Sequence, residues 1–185
     1  MEHYNKMNWM EILTKRVNAK RQILFQKDDE FIQELLLLIN QQSRQTVILW
    51  ALDLAEETVC LLERKYPADI RARQALEMTK LWACGKIKMP AAKKAILACH
   101  AAAKELSSLE DIAHHHAVGQ ACGTVHANGH AIGYPMYDLT SIIRKYGIEN
   151  CKEPIENRKA YYIDKLLYWK EHPMEFHGSW ASFLQ

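Results

Sequence analysis

The sequence predicts an all-α fold, in which seven to eight helices form a single domain around a tightly packed centre rich in alanine and glycine. Apolar residues recur at intervals of three and four, as on one face of a helix, and no segment of four to eight residues alternates cleanly between apolar and polar side chains. The 185 residues include 7 glycines and 5 prolines, so turn-forming residues are few. A chain of this length fits one domain.

Charge and capping residues predict the first three helices. Residues 7–25 form a basic amphipathic stretch, and Asp28 and Asp29 suit the N-terminus of a second helix because carboxylates are favourable there. Ser43 is expected to cap a third helix that continues to about Lys65. This helix is apolar on most sides over its first two turns, so we expect it to be central.

Proline and glycine set the limits of the next two helices. Pro67 suits the first turn of a fourth helix, because proline needs no hydrogen bond to its nitrogen there. That helix is expected to end near Cys84, with Gly85 as the left-handed residue that follows it. Pro90 is expected to open a fifth helix that continues to about Leu106.

The C-terminal half contains three further predicted helices. Ser107 and Glu110 have the spacing of a capping box, which predicts the start of a sixth helix. Another helix is expected to end near residues 146–147, and a last one spans about 155–170. The aromatic residues of the tail at 172–185 suggest that it docks on the body of the protein.

Composition excludes several classes of protein. Lys plus Arg number 24 and Asp plus Glu 22, and this net charge of +2 is too small to imply a nucleic-acid partner. The longest apolar runs, 35–39 and 47–52, are far shorter than the ~20 residues of a membrane span, and the N-terminus opens no signal-peptide core. Five widely spaced cysteines without a C-x-x-C pair indicate reduced thiols and a cytoplasmic protein.

A stripe of small residues and histidines is the most unusual feature of the sequence. The stripe consists of Gly119, Gly123, His126, His130 and Gly133, spaced by steps of four and three. Glycine inside a helix costs roughly 1 kcal/mol relative to alanine, so its repetition suggests a backbone pressed against a partner helix or against large side chains. Asn-Gly at 128–129 is also a turn signal, which leaves open whether 123–133 is one helix or two.

Two of these histidines have the spacing of metal ligands. His126 and His130 are four residues apart, as on one helical turn, and His100 offers a third ligand, so zinc or another transition metal is one hypothesis. The glutamate of the H-E-x-x-H motif is absent. We favour the alternative, in which the histidines are buried and pair with backbone carbonyls or with each other, and no cofactor is bound.

Other chemically reactive residues have ordinary structural interpretations. His114, His115 and His116 point about 100° apart on a helix, so we expect a partly exposed face rather than joint chelation. Cys99 and Cys122 lie on alanine-rich faces and are expected to be small core residues. No nucleophile motif or phosphate-binding loop is present, and we therefore expect no catalytic residue.

Several blocks of the sequence resemble a known family, the all-α immunity proteins numbered five in the series from bacterial polymorphic toxin systems. There are three blocks: the first occupies 50–56 and leads to 61–63, the second occupies 69–76 and 82–87, and the third occupies 98–104 and 121–133. The resemblance covers about 45–146. We expect one domain of 1–185 with this family-like core at its centre. N-terminal helices at 7–41 and a C-terminal segment at 155–185 are expected to pack on the core. Gln120 stands where many members have histidine.

The resemblance implies a function based on binding. It implies a non-catalytic protein that binds and neutralises a cognate toxin in the bacterial cytoplasm, without nucleic acid, membrane or cofactor. Exposed charged positions in the matching blocks, Asp69, Arg71 and Arg73, are candidate partner-binding residues. The alternative for these three is helix-start electrostatics and surface salt bridges.

Two rival functions remain open at this point. One is a metal-dependent enzyme or metal sensor that uses the histidines, and the other is a helical adaptor with an unrelated partner. The stripe of small residues would suit close helix packing between two copies of the chain in a homodimer as well as within the core of one chain.

Overall fold

The computed structural model describes residues 8–185, and within them the chain forms eight α-helices and no strand, as an all-α single domain. Four short 3₁₀ turns lie at Ala103–Glu105, Asn128–His130, Pro173–Glu175 and Ser182–Leu184. The helices are α1 (Trp9–Asn18), α2 (Glu30–Asn40), α3 (Arg44–Lys65), α4 (Arg71–Ala83), α5 (Met89–Ala102), α6 (Leu109–Gly123), α7 (Gly133–Tyr146) and α8 (Lys152–Glu171). The predicted fold class is confirmed.

Helix α3 lies at the centre of the fold, as predicted. The side chain of Ser43 accepts a hydrogen bond from the backbone N–H of Thr46 at 3.1 Å, which caps the helix. Trp50 is fully buried, and its indole N–H donates to the carbonyl of Tyr162 in α8 at 2.9 Å. Although α3 is 22 residues long, no helix in the described part of the chain is long and apolar enough to cross a membrane.

Helix α6 packs against four other α-helices, namely α3, α4, α5 and α7. Most of its residues are buried, and many of them are alanine, glycine or cysteine. Because these side chains are small, neighbouring helices approach closely. α6 and α7 form an antiparallel hairpin in which Gly133 lies against Gln120.

Two predicted helix limits are wrong for local reasons. The first helix ends at Asn18 rather than near residue 25, because Lys20 takes a left-handed φ of 52° that stops the helix; Met7 lies outside the described residues. Pro67 does not begin α4. It lies in a turn closed by the Asp69 N–H, which donates to the Tyr66 carbonyl at 2.9 Å.

Three further limits differ by a few residues. The cap of α6 is Ser108, not Ser107, and its hydroxyl accepts from the backbone N–H of Asp111 at 3.2 Å. α5 ends at Ala102 and tightens into a 3₁₀ turn, and α8 begins at Lys152. Gly85 has the positive φ expected after α4, at 71°.

The C-terminal tail contacts the end of α4. The ring of Phe183 stacks on Trp82 with centroids 5.7 Å apart, and the backbone N–H of Ala181 donates to the carbonyl of Ala83 at 2.8 Å. Gln45 of α3 also donates to the carbonyl of Leu184 at 2.9 Å. The tail is therefore held by both aromatic packing and backbone hydrogen bonds.

A buried polar network joins α3, α7 and α8. Asp138 accepts hydrogen bonds from Arg158 at 2.7 Å and from the hydroxyl of Tyr162 at 2.6 Å. The hydroxyl of Tyr134 donates to the carbonyl of Leu54 at 2.9 Å. These contacts satisfy polar groups that would otherwise be costly to bury, and they fix the hairpin of α6 and α7 against the central helix.

Candidate functional site

A pocket of about 240 Å³ opens between the end of α4, α5, α6 and the loop after α6. We call it the histidine pocket. Its floor is the backbone of Gly119 and Gly123, and its walls include the three histidines singled out in the sequence. The remaining lining is apolar apart from one lysine. The lining residues are Trp82, Met89, Lys93, Ile96, Leu97, His100, Gly119, Gly123, His126 and His130.

The two glycines at the floor allow histidine rings to lie on the backbone of α6. A Cβ atom at Gly119 would lie 2.8 Å from Cδ2 of His100 and closer still to its Nε2. A Cβ atom at Gly123 would lie 3.0 Å from Cγ of His130. Two roles were predicted for these glycines, close packing against a helix or against large side chains. At Gly119 and Gly123 the structure shows the second role.

The stripe of small residues does not continue as one helix. α6 ends at Gly123, and Ala127 is extended, with φ of −149°, before the 3₁₀ turn at Asn128–His130. The segment 123–133 thus joins two helices, so His126 and His130 do not share a helical turn. Both nevertheless reach the histidine pocket, because the loop folds back over the end of α6.

The prediction that the three pocket histidines are buried was wrong for His126 and His130, which are exposed because they lie in the loop after α6. The three rings are held by neighbouring rings and by one amide. Nδ1 of His100 lies 2.9 Å from Nδ1 of His116, and Nδ1 of His130 lies 2.9 Å from Oε1 of Gln120. The ring of His126 stacks on Trp82, with centroids 6.4 Å apart. Burial, with the neighbouring His116 and His130, lowers the pKa of His100 to about 4, so this ring is neutral at pH 7.

The prediction for His114, His115 and His116 was wrong in part. His114 and His115 are 6% and 1% exposed, so they do not form a partly exposed face. The reason is that α6 is covered on several sides by other helices. Nδ1 of His115 lies 2.9 Å from the carbonyl of Asp111, while His116 alone is half-buried.

In the described part of the chain, one group of three potential ligands has its atoms within 4.8 Å of one another, and it is not the predicted set. It consists of Glu110, Asp111 and His114. Nζ of Lys65 lies 2.7 Å from Asp111 and 3.4 Å from Glu110, so a cationic side chain already pairs with both carboxylates. Metal binding by His100, His126 and His130 stays a prediction.

Asp69 and Arg71 fasten the start of α4 to its neighbours. The carboxylate of Asp69 accepts from both the backbone N–H and the guanidinium of Arg71, at 3.0 and 2.9 Å. The same guanidinium donates twice to Glu105 at 2.7 Å, and these hydrogen bonds, first from Glu105 and then from Asp69, raise the pKa of Arg71. The geometry favours a structural role for this pair.

Arg73 is also occupied within the chain. It donates to Glu63 at 2.8 and 2.9 Å and pairs with Glu56, which joins α4 to α3. Partner binding by Asp69, Arg71 and Arg73 stays a prediction, but a partner would have to compete with these internal ion pairs.

The two cysteines of the centre are core residues. Cys99 and Cys122 are fully buried, and burial raises the pKa of Cys122 to about 12. Burial likewise raises the pKa of Cys99. Both thiols therefore stay protonated at pH 7 and lack the thiolate character of a nucleophile.

The sequence patterns assigned no site role to Trp82, Lys93 or Leu97, which line the histidine pocket. The charge distribution in the sequence points to this surface, because no Asp or Glu occurs between Glu77 and Glu105. A long stretch that contains lysine but no acid predicts a surface whose positive charge is not balanced locally.

The close contact at Gly119 predicts a stability cost for Gly119→Ala. We expect the free energy of unfolding to fall by about 1–3 kcal/mol, because the new methyl group must displace the ring of His100, and this outweighs the gain in helix propensity. Gly129→Ala is the matched control, since only Nζ of Lys27, 4.0 Å away, lies near its Cβ position. Urea denaturation measures both, and equal stability of the two variants would contradict the packing described.

The lowered pKa of His100 predicts a pH dependence of stability. Between about pH 4 and its ordinary pKa of 6.5 the unfolded chain binds a proton that the folded protein does not, so stability falls on acidification. The wild-type protein therefore loses stability between about pH 7 and about pH 5. Allowing for solvent screening, we expect this loss to be about 1 kcal/mol smaller in His100→Gln. Urea denaturation at the two pH values measures this difference.

The exposed His172→Gln is the control for this experiment. It is expected to keep the wild-type difference between the two pH values. An equal loss on acidification in both variants would show that His100 does not carry the effect.

Comparison with known proteins identifies the family. No curated protein and no solved structure matches the chain. A family model described as "Imm-5 like putative immunity protein" matches residues 37–165, which extends the resemblance seen in the sequence at both ends. The match includes α3 to α7 and every residue that lines the histidine pocket. Because it covers well over half of the chain, the protein belongs to the Imm-5 like immunity protein family.

Proposed function

We propose that the protein is a non-catalytic immunity protein, which binds and neutralises a cognate toxin of a bacterial polymorphic toxin system in the cytoplasm. The observation that carries the proposal is the family match over residues 37–165. Membership in this family implies a protein partner, and the toxin is the partner that the family description implies.

The architecture is suited to inhibition by binding. A protein inhibitor needs a rigid scaffold and a complementary surface, and needs no reacting groups of its own. The buried hydrogen bonds of Trp50 and Tyr134 supply rigidity, because each joins two helices at the centre of the fold. The groups that would be nucleophiles elsewhere, Cys99 and Cys122, are buried and protonated.

Co-expression with the toxin tests this function. The toxin-like domain encoded beside the gene is expressed in bacteria with and without the protein, and colonies are expected to survive only when both are present. Trp50→Asp is the control, because a charge at this fully buried position should unfold the chain and abolish protection. Calorimetric titration of the purified pair is expected to give a Kd on the order of nanomolar.

Two outcomes would contradict the proposal. One is a toxin domain that kills equally with and without the protein, and the other is the absence of binding between the purified proteins.

A further inference from the structure

We propose that the histidine pocket, with the lysines beside it, is the surface that contacts the toxin, and that it takes an acidic segment of the toxin carrying an apolar side chain. The inference rests on the proposed function, because it names the surface by which the toxin is bound and the chemistry of the partner.

The rim of the pocket exposes apolar side chains that the fold does not cover. Leu97 is 56% exposed and Met89 is 39% exposed, and both line the opening above the buried ring of Trp82. Exposed apolar side chains around a concave site are typical of protein contacts, in which an anchoring side chain fills a pocket. The rim therefore offers an apolar contact of this kind.

The size of the pocket favours a single side chain. Its volume of about 240 Å³ lies below the ~300–1,000 Å³ of small-molecule and cofactor sites. The rings of His100 and His130 lie against the two glycines of its floor and occupy part of the space there. One aromatic or large aliphatic side chain from a partner fits this space better than a cofactor.

The charge around the pocket is positive and unbalanced. Four exposed lysines, Lys86, Lys88, Lys93 and Lys94, precede or belong to α5, and Lys93 lines the pocket itself. None of them forms an ion pair within residues 8–185, in contrast to Arg71 and Arg73, whose charges are neutralised internally.

The other side of the pocket supplies no acid either. No Asp or Glu occurs between Asp111 and Asp138, the stretch that contains the glycine floor, His126 and His130. No carboxylate lines the pocket. The surface therefore presents cations and apolar groups together, and an acidic segment with an apolar anchor is the complementary partner.

Two other occupants fit the surface less well. A second copy of the chain, related by a two-fold axis, would place like-charged lysines opposite each other across the interface. A nucleic acid would be drawn by the lysines, but its phosphates would leave Leu97 and Met89 without apolar partners.

The test compares variants of the pocket with matched variants elsewhere. Lys93→Glu and Leu97→Glu change the pocket, whereas Lys152→Glu at the start of α8 and Leu37→Glu on α2 make the same chemical changes outside it. Leu37 is 58% exposed, which matches the 56% of Leu97. Because all four side chains are exposed, the variants are expected to fold, and urea denaturation of each checks this.

The expected result is a selective loss of toxin binding. Each pocket variant should weaken the Kd for the purified toxin domain by about tenfold or more, while each control stays within about twofold. Raising NaCl from about 50 to about 500 mM should also weaken wild-type binding, because the lysines act through charge.

Several results would overturn the inference. Unchanged binding by both pocket variants, with the wild-type chain still protecting cells, would reject this surface and leave the proposed function intact, whereas no binding by the wild type would reject the function itself. Wild-type binding to a short DNA duplex or RNA that both pocket variants lose would assign the surface to nucleic acid. A wild-type dimer in light scattering that becomes a monomer in both pocket variants would assign it to a second copy.

Discussion

The small side chains of α6 are the constraint on which the arrangement of the other helices depends. Four helices contact α6, and they do so closely because glycine, alanine and cysteine occupy most of the buried positions. The contact of His100 with Gly119 is the tightest example, since a methyl group at that position would displace the ring. The same packing that brings α5 onto α6 therefore also shapes the histidine pocket.

The charged residues divide into two groups that suggest different roles. Arg71 and Arg73 are held by carboxylates of their own chain, so they stabilise the junctions of α4 with its neighbours. The lysines at 86–94 have no such partners in the described residues. Most exposed ion pairs contribute little to stability, so leaving these lysines unpaired costs the fold little. A cluster of this kind is better suited to an external acidic partner.

Local signals allowed much of the fold to be predicted, but long-range contacts set the rest. Ser43 and Gly85 gave correct helix limits because caps and left-handed residues act within one turn. The helix start predicted at Pro67 was wrong, because proline suits a turn as well as a helix start. The hydrogen bond from the Asp69 N–H to the Tyr66 carbonyl closes a turn there. The convergence of His100, His126 and His130 on one pocket came from tertiary packing. The four-residue spacing of His126 and His130 predicted a shared helical turn that the structure does not contain.

The central claim is that the toxin binds at the histidine pocket, and hydrogen–deuterium exchange of the complex tests it most directly. Binding is expected to slow amide exchange in α5 and in the loop at 124–130, while α2 and α8 exchange as in the free protein. Slower exchange in α2 or α8, with no change around the pocket, would place the toxin on another face and contradict the claim.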